Sequence, residues 1–128
     1  MSGGPSIVPY LTYGDGHAAI RFLEAAFGLE VVQSHDGEDG ALMHAEMRHG
    51  DGVVMLGTGE AGKGSPGLYL VVDDVDAHFA RARDAGAEVV HGPEETGFGS
   101  RRWRARDPEG HEWSFGTYRP DPAARART

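Results

Sequence analysis

His44 and Glu46 stand two residues apart in the run Leu42-Met43-His44-Ala45-Glu46-Met47-Arg48. In a β-strand that spacing puts both side chains on one face. An imidazole beside a carboxylate can act as a general base with an orienting partner. The same pair with Arg48 can equally make a solvated cross-strand set of charges. Tyr10, Tyr69 and Trp103 offer flat aromatic faces, and a cation over such a face gains about 0.5–2 kcal/mol. They can as readily fill a sheet cavity or a seam between subunits. A metal held by His44, Glu46 and Glu112 is the weaker alternative, because spacing supplies no third imidazole. Four arginines, Arg101, Arg102, Arg104 and Arg106, share one short run with Asp107, Glu109 and Glu112 close behind. Ion pairing is the expected use of that run, rather than an anion or nucleic-acid surface. His17, His35, His49, His78 and His91 read as helix-surface or turn residues without a role, and His111 as a brace for a tight turn.

The elements that must position these groups come from a repeat. Residues 15–32 read DGHAAIRFLEAAFGLEVV and residues 73–90 read DDVDAHFARARDAGAEVV. Upstream, Pro9-Tyr10-Leu11 is echoed by Leu68-Tyr69-Leu70. A period near sixty residues is too long for most solenoids and suits two tandem α+β modules. Ile7 to Tyr13 reads as a strand, Asp15 as a helix cap, and Ile20, Leu23 and Phe27 as one helix face ended by Gly28. Leu29 to Ser34, Leu42 to Arg48 and Val53 to Gly57 read as strands, the last two joined by the hairpin signal His49-Gly50-Asp51-Gly52. Thr58 to Pro66 is a Gly-rich linker.

The second half repeats this order. Gly67 to Val72 is a strand, Asp74 caps a helix that Gly86 stops, and Glu88 to His91 is a strand. A loop runs from Gly92 to Ser100. Arg101 to Arg106 and Glu112 to Tyr118 form a hairpin around Asp107-Pro108-Glu109-Gly110, whose residues suit a type I turn. The expectation is one domain over residues 1–128, with modules at 6–57 and 67–118 and a frayed tail at 119–128.

Bulk composition limits the partners. The chain has 128 residues, 39% hydrophobic and 25% charged, which suits a globular domain with a real core. It has no cysteine, so disulfides and thiolate metal sites are excluded. A net charge of −8 argues against nucleic acid and anionic membranes and leaves room for a neutral or cationic small ligand. No apolar run approaches the ~18 residues of a membrane span. Residues 1–5 lack the charged and apolar regions of a signal peptide, so a cytoplasmic location is expected.

In this order and spacing the motifs resemble the vicinal oxygen chelate superfamily, of the glyoxalase/bleomycin-resistance type, over roughly residues 6–118. The resemblance rests on Pro9-Tyr10-Leu11 leading to Asp15, Phe27-Gly28, His44-Ala45-Glu46 with Val53-Val54-Met55-Leu56, and Asp107-Pro108-Glu109-Gly110-His111 before Trp113-Ser114-Phe115-Gly116. It implies paired βαβββ modules forming a curved mixed sheet around a cavity, and a homodimer. In metal-dependent members four strand positions hold one divalent cation. Here they fall on Val8, Met55, Gly67 and Ser114, related in pairs by a step of fifty-nine residues. These are poor ligands, so no metal and no cofactor are expected.

If those positions mark the cavity face, strand alternation adds Tyr10, Thr12, Val53, Tyr69, Val71 and Glu112 to it. The opposite set, Pro9, Leu11, Val54, Leu56, Leu68, Leu70, Trp113 and Phe115, is uniformly apolar. With Arg48 opposite Val53, His44 and Glu46 join the cavity. With Arg106 opposite His111, Trp103 falls opposite Ser114 and Arg101 opposite Gly116, so both are expected to point inward. The expected ligand-binding set is Tyr10, His44, Glu46, Met55, Tyr69, Arg101, Trp103, Glu112 and Ser114. The leading expectation is a metal-independent protein that sequesters an aromatic or cationic metabolite or antibiotic. The alternative is a glyoxalase- or lyase-like enzyme using His44 and Glu46 as acid/base, with or without a divalent metal. A structural or regulatory dimer is a third option.

Overall fold

The computed structural model describes residues 5, 7–59, 67–97 and 99–119. Strands β1 (Tyr10–Tyr13), β2 (Glu30–Asp36), β3 (Leu42–His49) and β4 (Gly52–Thr58) form a sheet in the order β1-β4-β3-β2. Strands β5 (Leu68–Val71), β6 (Glu88–Glu95), β7 (Arg101–Arg106) and β8 (Glu112–Gly116) repeat it as β5-β8-β7-β6. The first strand of each sheet is parallel to its neighbour and the other pairings are antiparallel. Helix α1 (Gly16–Phe22), which runs on through a π-turn at Leu23–Phe27, and helix α2 (Val75–Asp84) complete two mixed α+β modules. Of the expected linker Thr58–Pro66, Thr58 ends β4 and residues 60–66 lie outside the described residues, as does the expected tail 119–128 from residue 120 onward.

The two helices start alike because both begin on an aspartate. Asp15 accepts the Ala18 N–H at 3.0 Å and Asp74 accepts the Ala77 N–H at 3.0 Å, each supplying one of the acceptors a helix start lacks. They end differently. Gly28 closes the first at φ 79°, thirteen residues after its cap, whereas Gly86 follows Asp74 by twelve. The π-turn absorbs the extra residue. The repeat step therefore falls from fifty-nine residues to fifty-eight across the helices.

A second irregularity restores it, and corrects two expectations. The turn after β7 spans five residues, not four. Gly110 takes φ 92°, its N–H reaches the Asp107 carbonyl at 2.9 Å, and the Asp107 N–H reaches the His111 carbonyl at 3.0 Å. Arg106 consequently pairs with Glu112, Arg104 with Ser114, and Trp103 with Phe115. A one-residue slip turns every side chain of a strand over. Trp103 and Arg101 are thus on the helix side, not in the cavity, while Arg102, Arg104 and Arg106 take the opposite face. The expected loop at Gly92–Ser100 also begins later. β6 continues to Glu95 through an irregular register, held where Glu94 meets Arg102 at 2.9 Å and Glu95 meets Arg101 at 3.1 Å.

One core serves both modules. The apolar alternates Leu11, Leu56, Leu70, Trp113 and Phe115 are buried, as are Trp103 and Ala105. Phe27, from the first module's helix, inserts among the second module's aromatic rings, 4.8 Å from Phe115 and 5.4 Å from Trp113. Burying such a ring contributes about 1.5–3 kcal/mol. Trp103 stacks on Phe115 at 4.9 Å. Its indole N–H donates to His78 Nδ1 at 3.1 Å, and His78 Nε2 lies 3.1 Å from the Phe27 carbonyl. An indole only donates, so His78 accepts at Nδ1 and donates at Nε2. This histidine is a core link between modules, not a surface residue.

The hairpin tips tie each module to the other's first strand. His111 Nε2 lies 3.0 Å from the Thr12 carbonyl and His49 Nε2 lies 2.6 Å from the Val71 carbonyl. Thr12 and Val71 are repeat equivalents. The Glu109 carboxylate accepts the Asp15 N–H at 2.9 Å and also the Gly14 N–H, at the entrance to α1. The Asp-Pro-Glu-Gly-His segment is therefore an inter-module clasp.

Candidate functional site

Each sheet keeps one face free of helices, and the two faces match row by row. Tyr10 pairs with Met55 and Tyr69 with Ser114, so the aromatic ring stands beside the same strand position in both. A glycine makes room for the hydroxyl end of each ring. A Cβ on Gly57 would meet the Tyr10 hydroxyl, and one on Gly116 would meet Tyr69 Oη at 2.7 Å. Tyr10 is 57% exposed and Tyr69 42%. Tyr69 also donates to the Tyr118 carbonyl at 2.7 Å.

The rows then diverge in charge. In the first sheet Met55 is followed by Glu46 and Gln33, and in the second Ser114 is followed by Arg104 and His91. Glu46 is held by His44 Nε2 at 3.0 Å and by the Gln33 amide at 3.0 Å, and His35 reaches Gln33 at 2.9 Å. The His44 hydrogen bond, then that of Gln33, keeps the Glu46 carboxyl below the usual carboxylate range. With Nε2 donating to Glu46, the other ring nitrogen of His44 is left to accept a proton. In the second sheet the Ser114 hydroxyl accepts Arg104 Nε at 2.9 Å. Glu112 sits at 3.2 Å from Arg106 and 3.6 Å from Arg104.

The structure brings Tyr10, Met55, His44 and Glu46 together on one face, and Tyr69, Glu112 and Ser114 on the other. It does not bring Arg101 or Trp103 to either. Arg101 reaches back to Asp76 on α2 at 2.8 Å, and the Trp103 side chain is 0% exposed. Arg104 is the open-face residue that sequence reasoning missed, having read it only as part of an ion-paired run. The signal for it was present: Arg102, Arg104 and Arg106 alternate with Trp103 and Ala105, and only the latter pair suits a core.

Three hollows reach Tyr69. One of about 750 Å³ is lined by both modules, with Met47, Val53 and Val54 facing Leu68 to Val72. The other two open on the second module. One of about 270 Å³ is lined by Gly67, Leu68, Tyr69, His91, Arg102, Trp103, Arg104 and Ser114. Another of about 810 Å³ is lined by Tyr69, Glu95, Thr96, Gly97, Ser100, Arg102 and Tyr118. Neither is lined by the first sheet.

A divalent cation does not fit the positions at which the resemblance would seat one. Val8, Met55 and Gly67 carry no donor for a hard or borderline metal, and the Ser114 hydroxyl is already engaged by Arg104. Among the described residues no three His, Asp or Glu side chains converge as a metal would need. No helix of the described residues is long and apolar enough to cross a membrane.

Comparison with known proteins agrees with this geometry. Residues 6–115 match the family model of the glyoxalase/bleomycin resistance protein/dioxygenase superfamily. An uncharacterised protein of Mycobacterium bovis is 37% identical over 125 residues, covering 88% of this chain and 82% of its own. TioX from Micromonospora sp. ML1 superposes with a TM-score of 0.76 at 30% identity, over 88% of this chain and 98% of its own. A glyoxalase/bleomycin resistance protein from Streptomyces sp. CB03234 gives a TM-score of 0.69 at 25% identity, over 84% and 96% of the two chains. The chain belongs to the glyoxalase/bleomycin resistance protein/dioxygenase superfamily.

Proposed function

We propose that this protein binds an aromatic small molecule against its helix-free sheet faces, without a metal, and sequesters it. The observation that carries this reading is the repeated pair of exposed tyrosines, Tyr10 over Gly57 and Tyr69 over Gly116. Each ring stands beside a residue, Met55 or Ser114, that leaves no cation site. An exposed ring resting over a glycine offers an aromatic surface for stacking. Glu46 on the first face favours a guest with a cationic or hydrogen-bond-donating part. The bleomycin-resistance description of the Streptomyces relative supports sequestration of an antibiotic or similar metabolite.

Pairing of two copies belongs to the same reading. The hollows beside Arg102 are lined by the second module, and Tyr10, which lines neither, is exposed. A homodimer in which one copy's first sheet covers the other's second would enclose a guest on two sides.

A ligand screen by calorimetry tests the proposal. Tyr69→Ala and Tyr10→Ala proteins are expected to stay folded and lose affinity at least tenfold. Unchanged affinity in both contradicts it. A second reading, acid/base catalysis, is favoured by His44 held 3.0 Å from Glu46. Turnover of a bound carbonyl compound that His44→Ala abolishes would favour the enzyme over the binder.

A further inference from the structure

Arg104 is the least neutralised arginine of β7. Arg101 meets Asp76 at 2.8 Å and Glu95 at 3.1 Å, and Arg102 meets Glu94 at 2.9 Å. Arg106 meets Glu88 at 3.0 Å and Glu112 at 3.2 Å. Arg104 has one carboxylate contact among the described residues, to Glu112 at 3.6 Å, and Arg106 already holds that group closer. Its Nε bond to Ser114 Oγ, at 2.9 Å, orients the guanidinium without cancelling its charge. The remaining N–H groups form a planar fork suited to a carboxylate.

The surroundings add an apolar wall. Arg104 and Ser114 line the smaller of the second module's two hollows, and Tyr69 and Arg102 line both, so the two adjoin there. Tyr118, 60% exposed, lines the larger one, and its carbonyl receives the Tyr69 hydroxyl. Of the nearby acids, Glu94 is taken by Arg102 and lies 4.0 Å from His91, and Glu112 is taken by Arg106. In the matching row of the first sheet the place of Arg104 is held by Glu46, which repels an anion.

We propose that the adjoining hollows take an aromatic carboxylate, its ring against Tyr69 and Tyr118 and its carboxylate on Arg104. This rests on the binding-protein reading above and narrows its ligand class.

The test is an NMR titration of the whole chain with benzoate and, separately, with neutral benzamide. Benzoate is expected to shift the Tyr69 and Arg104 Nε signals most, those of Tyr10 and Glu46 less, and to bind at least tenfold tighter than benzamide. Arg104→Gln is expected to erase that preference and Arg104→Lys to keep part of it. Equal affinity for the two probes, a preference that survives Arg104→Gln, or shifts centred on the first sheet overturn the carboxylate assignment alone. Should neither probe bind, both this assignment and the aromatic-binder reading fall. The site of the wild-type shifts decides even if Arg104→Gln does not fold.

Discussion

Tyr13 and Asp107, ninety-four residues apart in the chain, share a buried hydrogen bond of 2.6 Å. Asp107 is only 3% exposed, yet four donors converge on it. Its Oδ2 accepts the Tyr13 hydroxyl and the Trp113 indole N–H, and its Oδ1 accepts the backbone N–H groups of Glu109 and His111. Burial, then the Asp107 charge, pushes the Tyr13 hydroxyl well above the usual tyrosine range. The carboxylate is the knot that joins the first module's strand to the second module's turn.

Truncating this knot should be among the most destabilising changes in the chain. Tyr13→Phe removes one charge-assisted bond and is expected to cost about 1.5–3 kcal/mol. Asp107→Ala leaves all four donors without their acceptor and is expected to cost at least about 3 kcal/mol. Urea unfolding of both single variants and the double variant checks this. A coupling energy near zero between the two positions would contradict the shared bond.

His78 should make the core sensitive to acid. Burial, ahead of all other causes, holds its folded pKa below the ordinary histidine value. The unfolded chain therefore binds more protons as pH falls through about 6.5, the unperturbed value. Stability is full above that pH, falls as pH drops toward the depressed folded value, and levels off below it. Protonation would also set an N–H at Nδ1 against the Trp103 indole donor. Thermal unfolding at pH 7.5 and pH 5 should show a larger loss for wild type than for His78→Gln. An equal loss in the two proteins would remove His78 as the cause.

The glycines under the tyrosines should not be equivalent. Alanine at Gly57 meets mainly the exposed Tyr10 hydroxyl, which can swing away. Alanine at Gly116 meets the Tyr69 ring, which is tied to the Tyr118 carbonyl, and comes within 3.1 Å of the Arg101 carbonyl. Gly116→Ala is therefore expected to cost about 1–3 kcal/mol, as overpacking does, and Gly57→Ala less. Equilibrium unfolding ranks them. The reverse order would show that Tyr10 is the more firmly held ring.

Glu46 should respond to its neighbour. Removing the imidazole in His44→Ala takes away the largest influence lowering the Glu46 pKa, leaving Gln33 as its remaining hydrogen-bond donor. A carboxyl carbon-13 titration is expected to move the Glu46 midpoint upward. No movement would mean that the His44 contact does not persist in solution.

Much of this arrangement was legible in the sequence, for a definite reason. Leu11, Leu56, Leu70 and Phe115 alternate with Tyr10, Met55, Tyr69 and Ser114, so one periodicity separates core from open face in four of the strands carrying the site. The repeat then carried Tyr10 onto Tyr69. It failed at β7, because Gly110 adds a turn residue that no strand period reports. That single residue moved Trp103 and Arg101 to the helix side and brought Arg104 out. The role of His78 was not legible either. Its partners, Trp103 and Phe27, lie on different elements, and only tertiary packing brings them to it.

The central claim is that the open tyrosine faces bind an aromatic guest without a metal. Calorimetry of a neutral aromatic probe, with and without EDTA, against wild type and the Tyr10→Ala/Tyr69→Ala double variant tests it most directly. The account predicts the same affinity in EDTA and at least a tenfold loss in the folded double variant. Binding abolished by EDTA, or untouched by the double substitution, would contradict it.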